Sequence, residues 1–254
     1  MKILSWNVNG VRAVAKKGFL DWLARESPDI LCLQETKAHS EQLEENLRDP
    51  EGYHAYWVAG ERKGYSGVAT FTKQKPIAVK TGFGIPRFDH EGRILLTEFP
   101  EFVLLNIYFP NGKQSEERLR YKLDFYDETL RFVDKLKSQG KKVIVSGDYN
   151  TAHRPIDLAR PEANEKVSGF LPVERAWIDQ WIEHGQVDIF REFCPLTDQY
   201  TWWDLKTGAR ERNVGWRIDY HFVTKDLVPA VRDAGILPQV TGSDHCPVSL
   251  EVKI

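Results

Sequence analysis

Ten short runs rich in β-branched and aromatic residues recur along the 254-residue chain, and they constrain its fold more than any other feature. They read "KILSWNV", "DILCLQE", "YHAYWVA", "GVATFTK", "RILLTEF", "FVLLNIYF", "KKVIVSGD", "YTWW", "WRIDYHFV" and "PVSLEV", each bounded by turn residues. In the last, Val248, Leu250 and Val252 alternate with Ser249, Glu251 and Lys253, so one face of a closing strand reaching Ile254 can be buried. Helical periodicity is rarer. It is clearest over 115–138, where Leu119, Leu123, Tyr126, Leu130 and Val133 fall at three- and four-residue steps. Ser115 can cap that helix, Glu116 and Glu117 suit its first turn, and Gly140 ends it. "KGFLDWLARES" and "PVERAWIDQWIEHG" predict two more helices. Many strands with few helices predict packed sheets with helices on the outside. No linker, repeat or low-complexity segment divides the chain, so one domain over 1–254 is expected.

Bulk properties narrow the function less. The net charge of −2 supplies no general attraction to nucleic acid, so any such binding needs a local patch. Cys32, Cys194 and Cys246 show no pairing pattern, which suits a reducing, cytoplasmic setting (the nucleoid in a prokaryote) rather than a disulfide framework. "MKILSWNVNG" turns polar after two apolar residues and does not read as a secretory signal. No apolar run approaches the roughly 20 residues of a membrane span. The 8 tryptophans exceed what the core of such a chain requires, so some are expected to face a ligand.

The polar residues of the apolar runs are more informative. "ILSW" leads to Asn7 and Asn9, "ILCLQ" to Glu35, and "VIVSG" to Asp148 and Asn150. "LLNIYFP" carries Tyr108 and leads to Asn111, "WRIDYHFV" carries Asp219, and the last strand follows Asp244 and His245. One such ending is an ordinary turn. If all six ends meet, they form a cup of carboxylates and amides with one Tyr and one His. Those carboxylates would repel one another unless a cation neutralised them, and their hard oxygens suit Mg²⁺, with Mn²⁺ able to substitute. No Cys/His cluster has the spacing of a zinc site. A hard cation beside Asp and His points to phosphoester chemistry. An Asp can hold or deprotonate water, a His can bond a phosphate oxygen, and a second Asp can fix the His ring.

At "GDYN", "IDY" and "GSDH" the pattern becomes specific. The chain resembles the exonuclease III type of AP endonuclease, in the endonuclease/exonuclease/phosphatase (DNase I-like) superfamily. The resemblance runs essentially end to end, through "SWNVNGVRA", "LCLQETK", "GYSGVA", "NIYFPNG", "GDYNTAH", "SGFLPVERAW", "YTWW", "VGWRIDY" and "GSDHCPV" in that order. It implies a four-layer α/β sandwich, two mixed β-sheets face to face with helices outside. It also implies metal binding chiefly by Glu35, with Asn7 and Asp244 nearby. Asp148 would position or deprotonate the water, helped by Asn150. His245, oriented by Asp219, would contact the scissile phosphate, as would Tyr108 and Asn111. Trp202 and Trp216 would line the pocket for a flipped abasic sugar. The implied reaction is hydrolysis 5′ to an abasic site in double-stranded DNA, leaving a 3′-hydroxyl, with 3′→5′ exonuclease or 3′-phosphodiesterase activity beside it. The protein would act as a monomer. Incision at uracil or other damaged bases is a further expectation for the same site. Some relatives carry Asp where this chain has Asn9, and Tyr149 replaces the more frequent Phe, Leu or Trp.

Simpler readings exist for each residue. Asp148 and Asn150 alone read equally as a β-turn, and Trp202, Trp203 and Trp216 as core. Cys246 reads as a small packed residue. "ERKGYSG" and "ARERN" read either as solvated charge or as contacts to DNA phosphates through Arg62, Lys63, Tyr65, Arg210, Arg212 and Asn213. Two rival functions stand beside a repair nuclease: a phosphatase for a small phosphorylated molecule, and a silent DNA-binding module. Cleavage of abasic plasmid, compared with that of a soluble phosphomonoester, separates the three.

Overall fold

The computed structural model describes residues 1–253, so Ile254, expected in the closing strand, lies outside the described residues. The strands in chain order are β1 (Lys2–Asn7), β2 (Ile30–Gln34), β3 (His54–Val58), β4 (Val68–Thr72), β5 (Ala78–Thr81), β6 (Ile94–Glu98) and β7 (Val103–Tyr108). They continue as β8 (Val143–Asp148), β9 (Gln186–Asp188), β10 (Trp202–Trp203), β11 (Gly215–Trp216), β12 (Asp219–Thr224), β13 (Val231–Ile236) and β14 (Val248–Val252). Two mixed six-stranded sheets result, ordered β13-β14-β1-β2-β4-β3 and β5-β6-β7-β8-β12-β9, while β10 and β11 form a small separate ribbon. The two large sheets pack face to face, with β1 and β2 against β7 and β8.

The layers follow from two-residue alternation. On the outer face of the first sheet, Leu4, Trp6, Leu31, Leu33 and Phe71 pack against Phe19 and Trp22 of the helix Phe19–Glu26. On the outer face of the second, Leu105, Val145 and Phe222 pack against Phe125, Tyr126, Trp177 and Trp181 of the helices Glu116–Ser138 and Pro172–Glu183. Ser115 accepts the Arg118 amide at 3.1 Å, as its N-cap position predicts. This is the four-layer α/β sandwich that the resemblance implied.

The inner faces change character along the strands. One end is apolar, built from Ile3, Ile30, Leu104, Ile144 and Val223. One step further the same faces are polar but bonded. Gln34 donates to Ser5 Oγ at 3.0 Å and to Asn106 Oδ1 at 2.8 Å, and Asn106 donates to the Ala69 carbonyl at 2.8 Å. Another step brings Asn7, Tyr108, Asp148 and Asp219. Register aligns them: Tyr108 lies opposite Asp148 in the parallel β7–β8 pair, and Asp148 opposite Asp219 in the antiparallel β8–β12 pair. Gly147 permits this pairing, because a Cβ there would lie 1.9 Å from the Ile107 carbonyl oxygen.

Four strands escaped the sequence reading. β5 lies at a sheet edge without clear alternation, β9 and β11 have three and two residues, and β13 ("VRDAGI") is charged and broken by a register shift after Val231. The run "WRIDYHFV" also divides: Trp216 belongs to the ribbon and Asp219–Thr224 to the large sheet.

His221, in the polar middle tier, joins the sheets. Its Nδ1 lies 2.7 Å from Ser146 Oγ, and its Nε2 donates to the Val248 carbonyl at 3.2 Å. Burial pushes its imidazole down to about 4 from 6.5. The unfolded chain therefore binds a proton where the native chain does not. The contribution to stability is complete above about pH 6.5 and is lost as the pH falls towards 4, by about 3 kcal/mol. Urea unfolding should show this: between pH 7.5 and 4.5 His221→Gln should lose less stability than the parent. Equal acid losses would remove His221 from this role.

Candidate active site

The strand ends converge on one cavity of about 220 Å³, lined by Glu35, Tyr108, Asn111, Asp148, Asn150, Trp202, Trp216, Asp244 and His245. All nine were singled out in the sequence. Asn7 and Asp219 are buried behind them. Several of these positions hold unfavourable backbone: Asn9, Glu35 and Asn150 have φ of 45°, 51° and 52°. Left-handed backbone outside glycine costs of the order of 1–3 kcal/mol each and concentrates at working sites.

Asp148 is tightly held. Its Oδ1 accepts the Asn150 backbone amide at 2.8 Å, and its Oδ2 accepts from Asn7 Nδ2 at 2.9 Å. Asn150 donates to the Phe109 carbonyl and accepts from Asn111 at 2.9 Å, so its amide is consumed in fixing this corner. Burial first, and then the nearby Asp219 charge, push the Asp148 carboxyl up. His245 Nδ1 lies 2.8 Å from Asp219 Oδ2, and Thr201 Oγ1 donates to the same oxygen at 2.6 Å. Burial alone would depress the imidazole, but the Asp219 carboxylate overrides it and pushes it up to about 10. The Asp219 carboxylate thus favours the imidazolium form, with Nε2 4.0 Å from Asp148 Oδ2. A charged imidazolium donates hydrogen bonds and cannot ligate a metal.

Ligand-capable atoms of Glu35, Asp148 and His245 lie within 4.8 Å of one another. With the imidazolium a donor, the oxygens of Glu35 and Asp148 remain, and this hard, mutually repelling pair fits a divalent cation of the Mg²⁺ type. Asn7 lies beside this pair, as expected, and also bonds both carboxylates. Its Oδ1 is pinned by the Asn9 amide at 3.0 Å, so its NH₂ faces both carboxylates and clamps them, reaching Glu35 Oε1 at 2.9 Å. Asp244 lines the cavity, but its oxygens are engaged by Asn9 at 2.9 Å and by Trp202 Nε1 at 3.1 Å.

Trp202 and Trp216 meet edge to face, with centroids 6.4 Å apart, in the wall beside these groups. Trp203 is instead core, buried to 2% and stacked on Arg210. Tyr149 packs behind the site on Phe109, and Cys246 is fully buried, its thiol pushed up by burial. The flanking candidates divide. Arg62, Lys63 and Arg212 are exposed. Tyr65 is half-buried, its hydroxyl bonded by Arg93 at 2.9 Å and Arg118 at 3.0 Å. Arg210 bonds the carbonyls of Pro238, Val240 and Ser243, and Asn213 bonds Trp203 and Asp198, so both tie loops together.

Sequence reasoning missed four contributors. Lys113, an exposed residue, lines the cavity with Nζ 5.3 Å and 5.5 Å from the Trp202 and Trp216 rings. Ser168 and Gly169 line the cavity beside Trp216, pinned by Glu174, which pairs with the buried Lys122 at 2.6 Å. Lys37 pairs with Glu35 at 2.8 Å. Its place beside "LQE" was the available signal, yet a loop lysine reads as solvated charge.

Residues 4–245, which span all these groups, match the Endonuclease/Exonuclease/phosphatase family. The chain belongs to that family, and with these relatives it is a hydrolase of the nuclease kind. It is 44% identical to the exodeoxyribonuclease of Bacillus subtilis over 100% of both chains. It is also 44% identical to the DNA repair nuclease APEX1 of Danio rerio, over 100% of this chain and 83% of that one. Among solved structures, the catalytic domain of Xenopus laevis APE2 matches with a TM-score of 0.89 and 34% identity, covering 100% of this chain and 92% of that one.

Proposed function

We propose that this protein is a DNA-repair phosphodiesterase that, with Mg²⁺, hydrolyses duplex DNA 5′ to an abasic site and leaves a 3′-hydroxyl. It works as a monomer and a single domain in the cytoplasm. The observation that carries the reading is the adjacency of the Trp202–Trp216 wall to the Glu35–Asp148–His245 cluster in one cavity. A sugar without its base can enter such a narrow space, and a normal nucleoside is excluded by size.

A hard cation on Glu35 and Asp148 would polarise a phosphoryl oxygen and shield its developing charge. Asp148, held by Asn7 and Asn150, orients the attacking water and takes its proton. The His245 imidazolium donates from Nε2 to a phosphate oxygen, while Asp219 and Thr201 keep the ring aimed. Tyr108 supplies a second donor, since burial and then the neighbouring Glu35 keep its phenol protonated. Asn111 contacts the phosphate, and exposed Arg62, Lys63 and Arg212 meet the flanking backbone. A panel of duplexes, each with one abasic, uracil, 3′-blocked or undamaged site, assayed for cut position and end chemistry, tests this. Cleavage of a soluble phosphomonoester without cleavage of abasic DNA would overturn it.

The wall makes its own prediction. Trp216 is half-buried, and its ring lies 3.2 Å from the position of a Cβ added at Gly169. Trp216→Ala should barely move the melting temperature, while the ratio of abasic to intact-duplex cleavage falls and the Mg²⁺ dependence stays as it was. A destabilised protein with unchanged selectivity would make Trp216 a core residue only.

A further inference from the structure

One cation is already built into the carboxylate cup. Lys37 Nζ lies 2.8 Å from Glu35 Oε2 and donates a short hydrogen bond to Asn9 Oδ1. Asn9 in turn donates from Nδ2 to Asp244 Oδ1 at 2.9 Å. The other Glu35 oxygen is clamped by Asn7. An ammonium therefore caps the one oxygen of Glu35 that Asn7 leaves free. Because residue 9 is a neutral amide, Glu35 is the only carboxylate that this ammonium pairs with among the described residues.

A divalent ion on Glu35 Oε2 and an ammonium at hydrogen-bond distance from the same oxygen repel each other strongly in a partly buried site. The lysine stem is long and the side chain is 31% exposed, so the ammonium can withdraw without disturbing the core. The Asn9 carbonyl oxygen that it already touches offers it a neutral place to rest.

We propose that Lys37 is a tethered placeholder cation. It neutralises Glu35 while the cup holds no metal and gives up that oxygen when Mg²⁺ or Mn²⁺ arrives. The exchange lowers metal affinity, keeps the acidic cup assembled between turnovers, and makes Lys37 a positioning residue that acts through Glu35. This rests on the reading of Glu35 as a metal-binding residue.

The test is Mn²⁺ binding to the full chain without DNA, by calorimetry or by the loss of the free-ion resonance. Removing one positive charge beside the site in Lys37→Met should tighten binding by at least about fivefold. Lys37→Arg, which keeps the charge, should stay within about twofold of the parent. Asn9→Asp offers the ammonium a second carboxylate and should also tighten binding. In EDTA the melting temperature of Lys37→Met should fall, and saturating Mn²⁺ should restore it. A merely structural lysine would lower melting equally with and without the ion. Unchanged or weaker Mn²⁺ binding in Lys37→Met would overturn the placeholder role. If Glu35→Gln bound Mn²⁺ as tightly as the parent, the metal assignment of Glu35 would be the part that fails.

Discussion

Asp148→Asn should lower kcat on abasic duplex by roughly 10²-fold or more, the scale of a positioned acid–base group, with duplex binding retained. The substitution is nearly isosteric and keeps the β8 register. It removes the charge that orients water, and its NH₂ would face the Asn7 NH₂ that now donates to Oδ2. His245→Ala should match it in size, because the imidazolium is lost from beside the phosphate. Asp219→Asn should be a partial copy: the ring stays in place, but the carboxylate that pushes it up to about 10 is gone. The imidazolium limb of the pH–rate profile should then move to lower pH. Steady-state kinetics with a gel-shift binding assay decides all three. Near-normal turnover in the first two variants would remove those residues from the chemical step.

Chelation should be as severe. Asp148, Asp219, Glu35 and Asp244 gather around one short stretch of the sandwich, and Lys37, Lys113 and His245 can offset only part of their charge. Cleavage should vanish in EDTA and return with Mg²⁺ or Mn²⁺. Glu35→Gln should raise the Mg²⁺ concentration needed for half-maximal rate and lower the rate at saturation, since an amide oxygen holds the ion less firmly. Full activity in EDTA would sink the metal reading outright. The ion also bears on Asp148, whose burial and repulsion from Asp219 disfavour its charged form. A cation held by Glu35 and Asp148 would favour that charged form, leaving Asp148 able to accept a proton from water.

Much of this was legible because the informative residues break a local rule. A polar residue at the end of an apolar run is conspicuous, and six such runs single out Asn7, Glu35, Tyr108, Asp148, Asp219 and His245. The three long helices were legible from period and caps. Three of the four edge strands were not: β5, β9 and β13 pair with one neighbour each and need no strong pattern of their own. Lys113 and Lys37 were hidden for another reason. Whether a loop lysine meets water, a tryptophan pair or a carboxylate depends on which loops come together, and that is set by inter-sheet register. Arg210 and Asn213 err the opposite way, as polar residues in a charged run that spend their donors on the protein's own carbonyls.

The pairing of β1 has a consequence for synthesis. β1 lies between β2 and β14, and Trp6 Nε1 donates to the His245 carbonyl at 3.1 Å across 239 positions. A ribosome makes the Asn7 and Glu35 side of the site early and the Asp244–His245 side very late. Until β14 has docked beside β1, the chain has the Asn7 and Glu35 side of the cavity without the Asp244–His245 side. The cavity described above is therefore incomplete until β14 has paired with β1.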